Sequence, residues 1–136
     1  MSDEIYQERI VALAKAKTGA GKLANPTRSA RRDNPLCGDR VTMDVALDGQ
    51  GKILELAHQV RGCLLCQASA SALASVALGR DAAGIAALRL DAEKAMGRAE
   101  GVSTEPFSAF DPLKAHKARQ DCVLLPFEAL KAALAP

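Results

Sequence analysis

The chain has no tryptophan, one tyrosine and three phenylalanines among 136 residues. So few aromatics exclude a surface built to stack nucleic-acid bases and leave alanine, leucine and valine to fill the interior. A formal charge of +2 and a pI near 8.4 lack the strong basic excess of a nucleic-acid binder. No stretch approaches the roughly 18 apolar residues that a membrane helix needs. The opening Met1, Ser2, Asp3, Glu4, Ile5, Tyr6 has neither the basic region nor the apolar run of a leader, which predicts a cytoplasmic protein with no membrane partner. In that reducing compartment four cysteines read as metal ligands or reactive thiols rather than two disulfides.

What remains is ordinary for a folded chain: 49% hydrophobic and 25% charged residues suit one domain over 1–136 with a core of its own. Between Arg9 and Asp33 stand Lys15, Lys17, Lys22, Arg28, Arg31 and Arg32 with no acid among them. A solvated basic face is the plainer reading and a docking face for an acidic partner the sharper one.

Ile5, Tyr6, Ile10, Leu13 and Ala14 recur at helical spacing and predict a helix from Asp3 to Lys17, stopped by Gly19 and Gly21. Leu23 to Asp33 fits a loop or an edge strand. Val41, Met43, Val45 and Leu47 alternate with polar or small residues; after the turn Asp48-Gly49-Gln50-Gly51, Ile53 to Val60 forms a second strand. A turn centred near residue 50 sets position 40 against 60 and brings Cys37 opposite Cys63, at about 4.5–5.5 Å between Cα atoms. Cys66 to Leu78 predicts a buried helix of small residues ending at Gly79. Cys63 lies at its N-terminus, where a thiolate is favoured. Asp81 caps a helix from Ala82 to Met96. Glu100 to Phe110 reads as a loop, and Asp111-Pro112 opens a short helix to about Lys117. Cys122 falls in the connection that follows, before a last helix from Pro126 to Leu134.

The cysteines are spaced Cys37-x25-Cys63-x2-Cys66-x55-Cys122, with Asp39 two residues beyond the first. Thiols with a carboxylate suit tetrahedral zinc or an iron–sulfur cluster, and the spacing is not that of a zinc finger or ribbon. Cys66, flanked by Leu64, Leu65 and Ala68, also reads as a small packed hydrophobe. Cys37, in Pro/Gly turn text, suits that reading poorly. His58 reads as a core or interface histidine and His116 as surface. A thioredoxin-like role for Cys63-x2-Cys66 lacks the βαβ setting it needs.

Asn34-Pro35-Leu36-Cys37-Gly38-Asp39, Gly62-Cys63 with Ala68-Ser69-Ala70-Ser71, and Arg119-x-x-Cys122-x-x-Leu125-Pro126-Phe127 together resemble the IscU/SufU/NifU N-terminal scaffold family of iron–sulfur cluster assembly. The resemblance runs from about Tyr6 to Ala133. It implies an α+β fold in which a small antiparallel sheet, the hairpin 40–61 plus an edge strand, packs against several helices. It also implies metal ligation by Cys37, Asp39, Cys63 and Cys122. Arg119 is a supporting residue, and Cys66, which stands where most members have a small residue, is a spare ligand, a sulfur relay or a packed thiol. The implied partners are a cysteine desulfurase and, downstream, apo iron–sulfur proteins or carriers. Asp121 stands where the IscU branch has a ligating histidine, and the interval from Cys63 to Cys122 is long, with Glu100 to Phe110 as the extra segment. Both features resemble the SufU branch. The Leu-Pro-Pro-Val-Lys stretch that the IscU branch offers its chaperone is absent.

Three functions follow as expectations. One is a Zn2+-binding acceptor of persulfide sulfur, with Cys37 as first and Cys122 as second candidate. Another is a scaffold for a [2Fe–2S] cluster on the same residues, with Asp39 as the weak ligand. The third is a structural zinc module for protein contact. A scaffold or sulfur carrier is expected rather than a free-standing catalyst.

Overall fold

The strand periods of the sequence are realised in a three-stranded antiparallel sheet. The structure, a computed structural model, describes residues 7–35 and 38–135. In chain order it comprises α1 (Glu8–Ala16), β1 (Arg28–Asn34), β2 (Asp39–Leu47), β3 (Ile53–Arg61), α2 (Leu64–Ala77), α3 (Ala82–Ala95), a 3-10 helix (Phe107–Ala115) and α4 (Lys117–Leu134). The strands run β1-β2-β3, giving the α+β architecture expected. The ambiguous stretch before Asp33 is the edge strand β1. Of the first predicted helix, Asp3 to Tyr6 lie outside the described residues, as does Cys37.

Val41, Met43 and Val45 point to one face of β2 and are fully buried, with α4 packed across β1 and β2 and α2 against both β3 and α4. Alanine makes this approach possible. Ala68, Ala70, Ala72 and Ala77 of α2 and Ala129 of α4 are all without solvent exposure. Ser69 Oγ of α2 donates to the Val123 carbonyl of α4 at 2.5 Å, fastening the two helices. Phe107, Phe110 and Phe127 close the core on the α3 side, and the rings of Phe107 and Phe127 stand 5.5 Å apart at 52°. The run Lys15, Lys17, Lys22, Arg28, Arg31 and Arg32 is exposed throughout, as a solvated face requires.

Three expectations need correction. The hairpin register is shifted by one residue near the turn: Ala46 pairs with Glu55 and Leu47 with Ile53, leaving Leu54 as an extra residue on β3. Arg40 therefore faces Arg61 rather than Val60, the last pair of the ladder, and beyond it Asp39 lies beside Gly62. Second, Phe107–Ala115 is a 3-10 helix, rather than a loop to Phe110 followed by a short helix from Asp111 to about Lys117. Its buried Phe107, Phe110 and Leu113 recur every third residue, the repeat of a 3-10 helix. Third, Cys122 lies inside α4, which runs from Lys117 straight through Pro126. Proline inside a helix normally costs about 3 kcal/mol. Here burial of Gln120, Val123, Leu124, Phe127, Ala129 and Leu130 outweighs it.

His58 is a core histidine, 5% exposed. Its Nε2 lies 2.7 Å from the Thr18 carbonyl, which can only accept, so Nε2 carries a proton. Its backbone N–H donates to Gly19 and its carbonyl accepts from Gly21, covering the outer edge of β3. Burial lowers its pKa below the ordinary 6.5, against the opposing pull of the Thr18 carbonyl. The unfolded chain then takes up this proton first. His58's contribution to stability is complete above pH 6.5 and is lost as pH falls below it. Thermal unfolding between pH 7 and 5.5 should show a decline in Tm that His58→Gln reduces. An equal decline in both proteins would contradict this account.

Candidate metal centre

Three elements end at one place. Asp39 opens β2, Cys63 is the N-cap of α2, and Cys122 lies in the second turn of α4. One ligand atom from each, a carboxylate oxygen and two sulfurs, lie within 4.8 Å of one another. Ligands at about 2.0–2.3 Å from tetrahedral zinc stand roughly 3.3–3.8 Å apart, so the trio need close by no more than about 1.5 Å. A hard oxygen beside two soft sulfurs is a donor set that zinc accepts. Among the described residues this is the one group of three or more such side chains.

The register carries Asp39 to this position. Its Oδ1 accepts the Cys63 backbone N–H at 3.1 Å, and its Oδ2 the Cys63 thiol at 3.5 Å. Asp39 is only 3% exposed, so the carboxylate lies over the first turn of α2, whose dipole favours negative charge. The Cys63 thiol is lowered from its ordinary 9.0 to about 7. A hydrogen bond from Cys122 is the main cause; burial opposes it, the backbone N–H of Cys66 assists, and the Asp39 carboxylate pulls upward. A half-buried thiol near 7 is about half thiolate at neutral pH, far more than an ordinary cysteine, which suits a metal ligand or nucleophile.

Other candidates fall around this trio. Cys66 has no exposure and sits in the apolar core, its backbone N–H directed at the Cys63 sulfur. Arg119 is half-buried one turn before Cys122. Asp121 is largely exposed, its Oδ1 3.6 Å from Arg98 Nη1, away from the converging group. His116 is half-buried at the junction of the 3-10 helix and α4. Cys63 opens onto a cleft of about 690 Å3 whose walls include Asp33, Arg40, Arg61 and Gly62. The arginines were not anticipated as neighbours, because they meet across the hairpin only in the shifted register.

Comparison with known proteins gives a consistent result. Residues 5–135 match the NifU-like N terminal domain family. An iron-sulfur cluster assembly scaffold protein IscU from Thermotoga maritima is 30% identical over 133 residues, covering 96% of this chain and 92% of that protein. A bifunctional protein NifU/MnmA from Rubrobacter xylanophilus is 32% identical over 95 residues, which is 69% of this chain but 20% of the longer relative. Among solved structures, a putative iron-sulfur cluster assembly scaffold protein for the SUF system from Fervidobacterium islandicum AW-1 superposes with a TM-score of 0.87 at 29% identity, covering 99% of this chain and all of that one.

Proposed function

Because the chain belongs to the NifU-like N-terminal domain family, we propose that it serves iron–sulfur cluster assembly as a zinc-binding acceptor of persulfide sulfur. The donor is a cysteine desulfurase. The observation that carries this reading is the convergence of the Asp39 carboxylate with the Cys63 and Cys122 thiols within 4.8 Å. Asp39, Cys63 and Cys122 would hold the ion with Cys37, which the sequence places two residues before Asp39. Bound Zn2+ would keep the thiols deprotonated at neutral pH.

The chain's own part in the transfer is a thiolate attack. The acceptor sulfur attacks the outer sulfur of the donor's cysteine persulfide. A new S–S bond forms on this chain while the donor's S–S bond breaks, and the donor cysteine leaves as thiolate. Cys37 is the acceptor in this proposal. Gly38 beside it has φ +76 with open space around it, whereas Cys122 is 4% exposed within α4 and Cys63 is fixed at a helix end. The adjoining cleft carries both signs of charge, Arg61 and an Arg40–Asp33 pair at 3.0 Å, for an incoming partner to meet. No described helix is long and apolar enough to cross a membrane.

A second reading, assembly of a [2Fe–2S] cargo on the same four residues, is supported by the one oxygen donor among thiols, since carboxylate holds iron less firmly and lets a cluster leave. The two are separated by stripping zinc with a chelator and comparing zinc-free and zinc-loaded protein as activators of a cysteine desulfurase. The acceptor reading expects activation, and one added sulfur atom by mass, from the zinc-loaded protein alone. Equal activation by the zinc-free protein would overturn it.

A further inference from the structure

We propose that Gly62 is the positioning residue for the Asp39 carboxylate, the space left by its missing side chain being where that carboxylate lies. The consequence for metal binding rests on Asp39 as a ligand; the steric relation between the two residues does not. A Cβ built on Gly62 would meet Asp39 Oδ1 at 2.5 Å, Cγ at 2.6 Å and Cβ at 3.0 Å. The first two distances lie well inside van der Waals contact. Asp39 cannot retreat as a unit, because its backbone is paired with Asn34 of β1 and its side chain is 3% exposed. Rotating the carboxylate away would sacrifice the Cys63 N–H bond at 3.1 Å and its approach to the two sulfurs.

Backbone geometry does not require a glycine at this position. Seven described glycines have the positive φ that favours glycine, and Gly62 is not among them. Gly38, by contrast, has φ +76 and open space where a Cβ would go, so it is needed for its conformation. The backbone therefore accepts alanine at 62, and the three atoms nearest to its Cβ all belong to Asp39. Where the native backbone permits it, Gly→Ala stabilises by restricting the unfolded chain. The cost of the same substitution should then shrink when residue 39 is alanine, which removes the two closest atoms and keeps only the Cβ at 3.0 Å.

The test is a double-mutant cycle of the full chain, comparing the unsubstituted protein, Gly62→Ala, Asp39→Ala and the doubly substituted protein. Thermal unfolding without metal is measured first. Gly62→Ala should lower Tm by about 3 °C or more when Asp39 is present, and by clearly less when residue 39 is alanine, whose Cβ alone remains at 3.0 Å. Zinc affinity is then measured by competition with a chromophoric chelator. Gly62→Ala should weaken zinc to within about threefold of Asp39→Ala, with little further loss in the double substitution, as coupled sites behave. Equal effects of Gly62→Ala in both backgrounds would overturn the proposal. If Gly62→Ala alone does not fold, folding of the double substitution supports the proposal, and failure of both contradicts it. If Asp39→Ala binds zinc as tightly as the unsubstituted protein, the ligand reading fails while the metal-free cycle still decides the role of Gly62.

Discussion

Replacing Cys63 by serine is expected to lower zinc affinity by at least about 100-fold, since changes to groups that merely orient ligands already cost roughly 10–100-fold. Two effects combine. Oxygen replaces a soft sulfur donor, and a thiol whose pKa is lowered to about 7 is lost. The hydrogen bond from Cys122 then has no thiolate to reach. The fold should survive, because Cys63 is half-buried at the end of α2 while the core of Val41, Met43, Leu65, Leu73, Phe107 and Leu130 forms without it. Chelator competition and circular dichroism on the same sample test both halves. A Cys63→Ser protein that is unfolded in the absence of metal would instead favour the structural zinc module.

Asp39→Ala is expected to separate the two proposed readings of the site. With zinc, loss of a direct ligand should weaken binding by about 100-fold or more, again on the scale set by orienting groups. With a cluster reconstituted from iron and sulfide, the same change should lengthen its lifetime, because the oxygen ligand through which the cluster departs is gone. The decay of visible absorption in the presence of an iron chelator measures this directly. Faster loss from Asp39→Ala would contradict its role as the weak ligand. Part of any change in metal-free stability will come from the Cys63 N–H at 3.1 Å, which loses its acceptor at a helix terminus. An unmet donor there costs about 0.5–2 kcal/mol.

Much of this arrangement is legible in the sequence. Alternation in Val41–Leu47 and the turn at Asp48–Gly51 specify the hairpin, and the Ala/Ser text after Cys63 specifies a helix buried on several sides. The relation between Asp39 and Cys63 is not legible, because it depends on one extra residue at Leu54. A bulge has no strong local signature when the extra residue is an ordinary leucine, yet it moves every rung by one and sets Asp39 by Gly62. Proline misled at α4. Pro126 reads as a helix start, and local chemistry alone supports that reading. The helix instead continues back to Lys117 because Cys122, Val123 and Leu124 are buried against other elements, a tertiary effect that propensity cannot carry. The 3-10 helix was written in the three-residue spacing of Phe107, Phe110 and Leu113, hidden by the proline and glycine around it. For the site itself, residue types and order were legible. Which backbone groups hold them was not, since Cys66's N–H and Cys63's N–H acquire their roles only when α2 begins beside β2.

The account stands on one claim, that Asp39, Cys63 and Cys122, with Cys37, form a zinc site used for sulfur. Metal content by elemental analysis, together with the visible spectrum, of protein purified without oxygen tests it most directly. A colourless protein with one zinc per chain is the expected result. A brown protein carrying iron and sulfide in place of zinc would contradict the acceptor reading and establish the cluster scaffold.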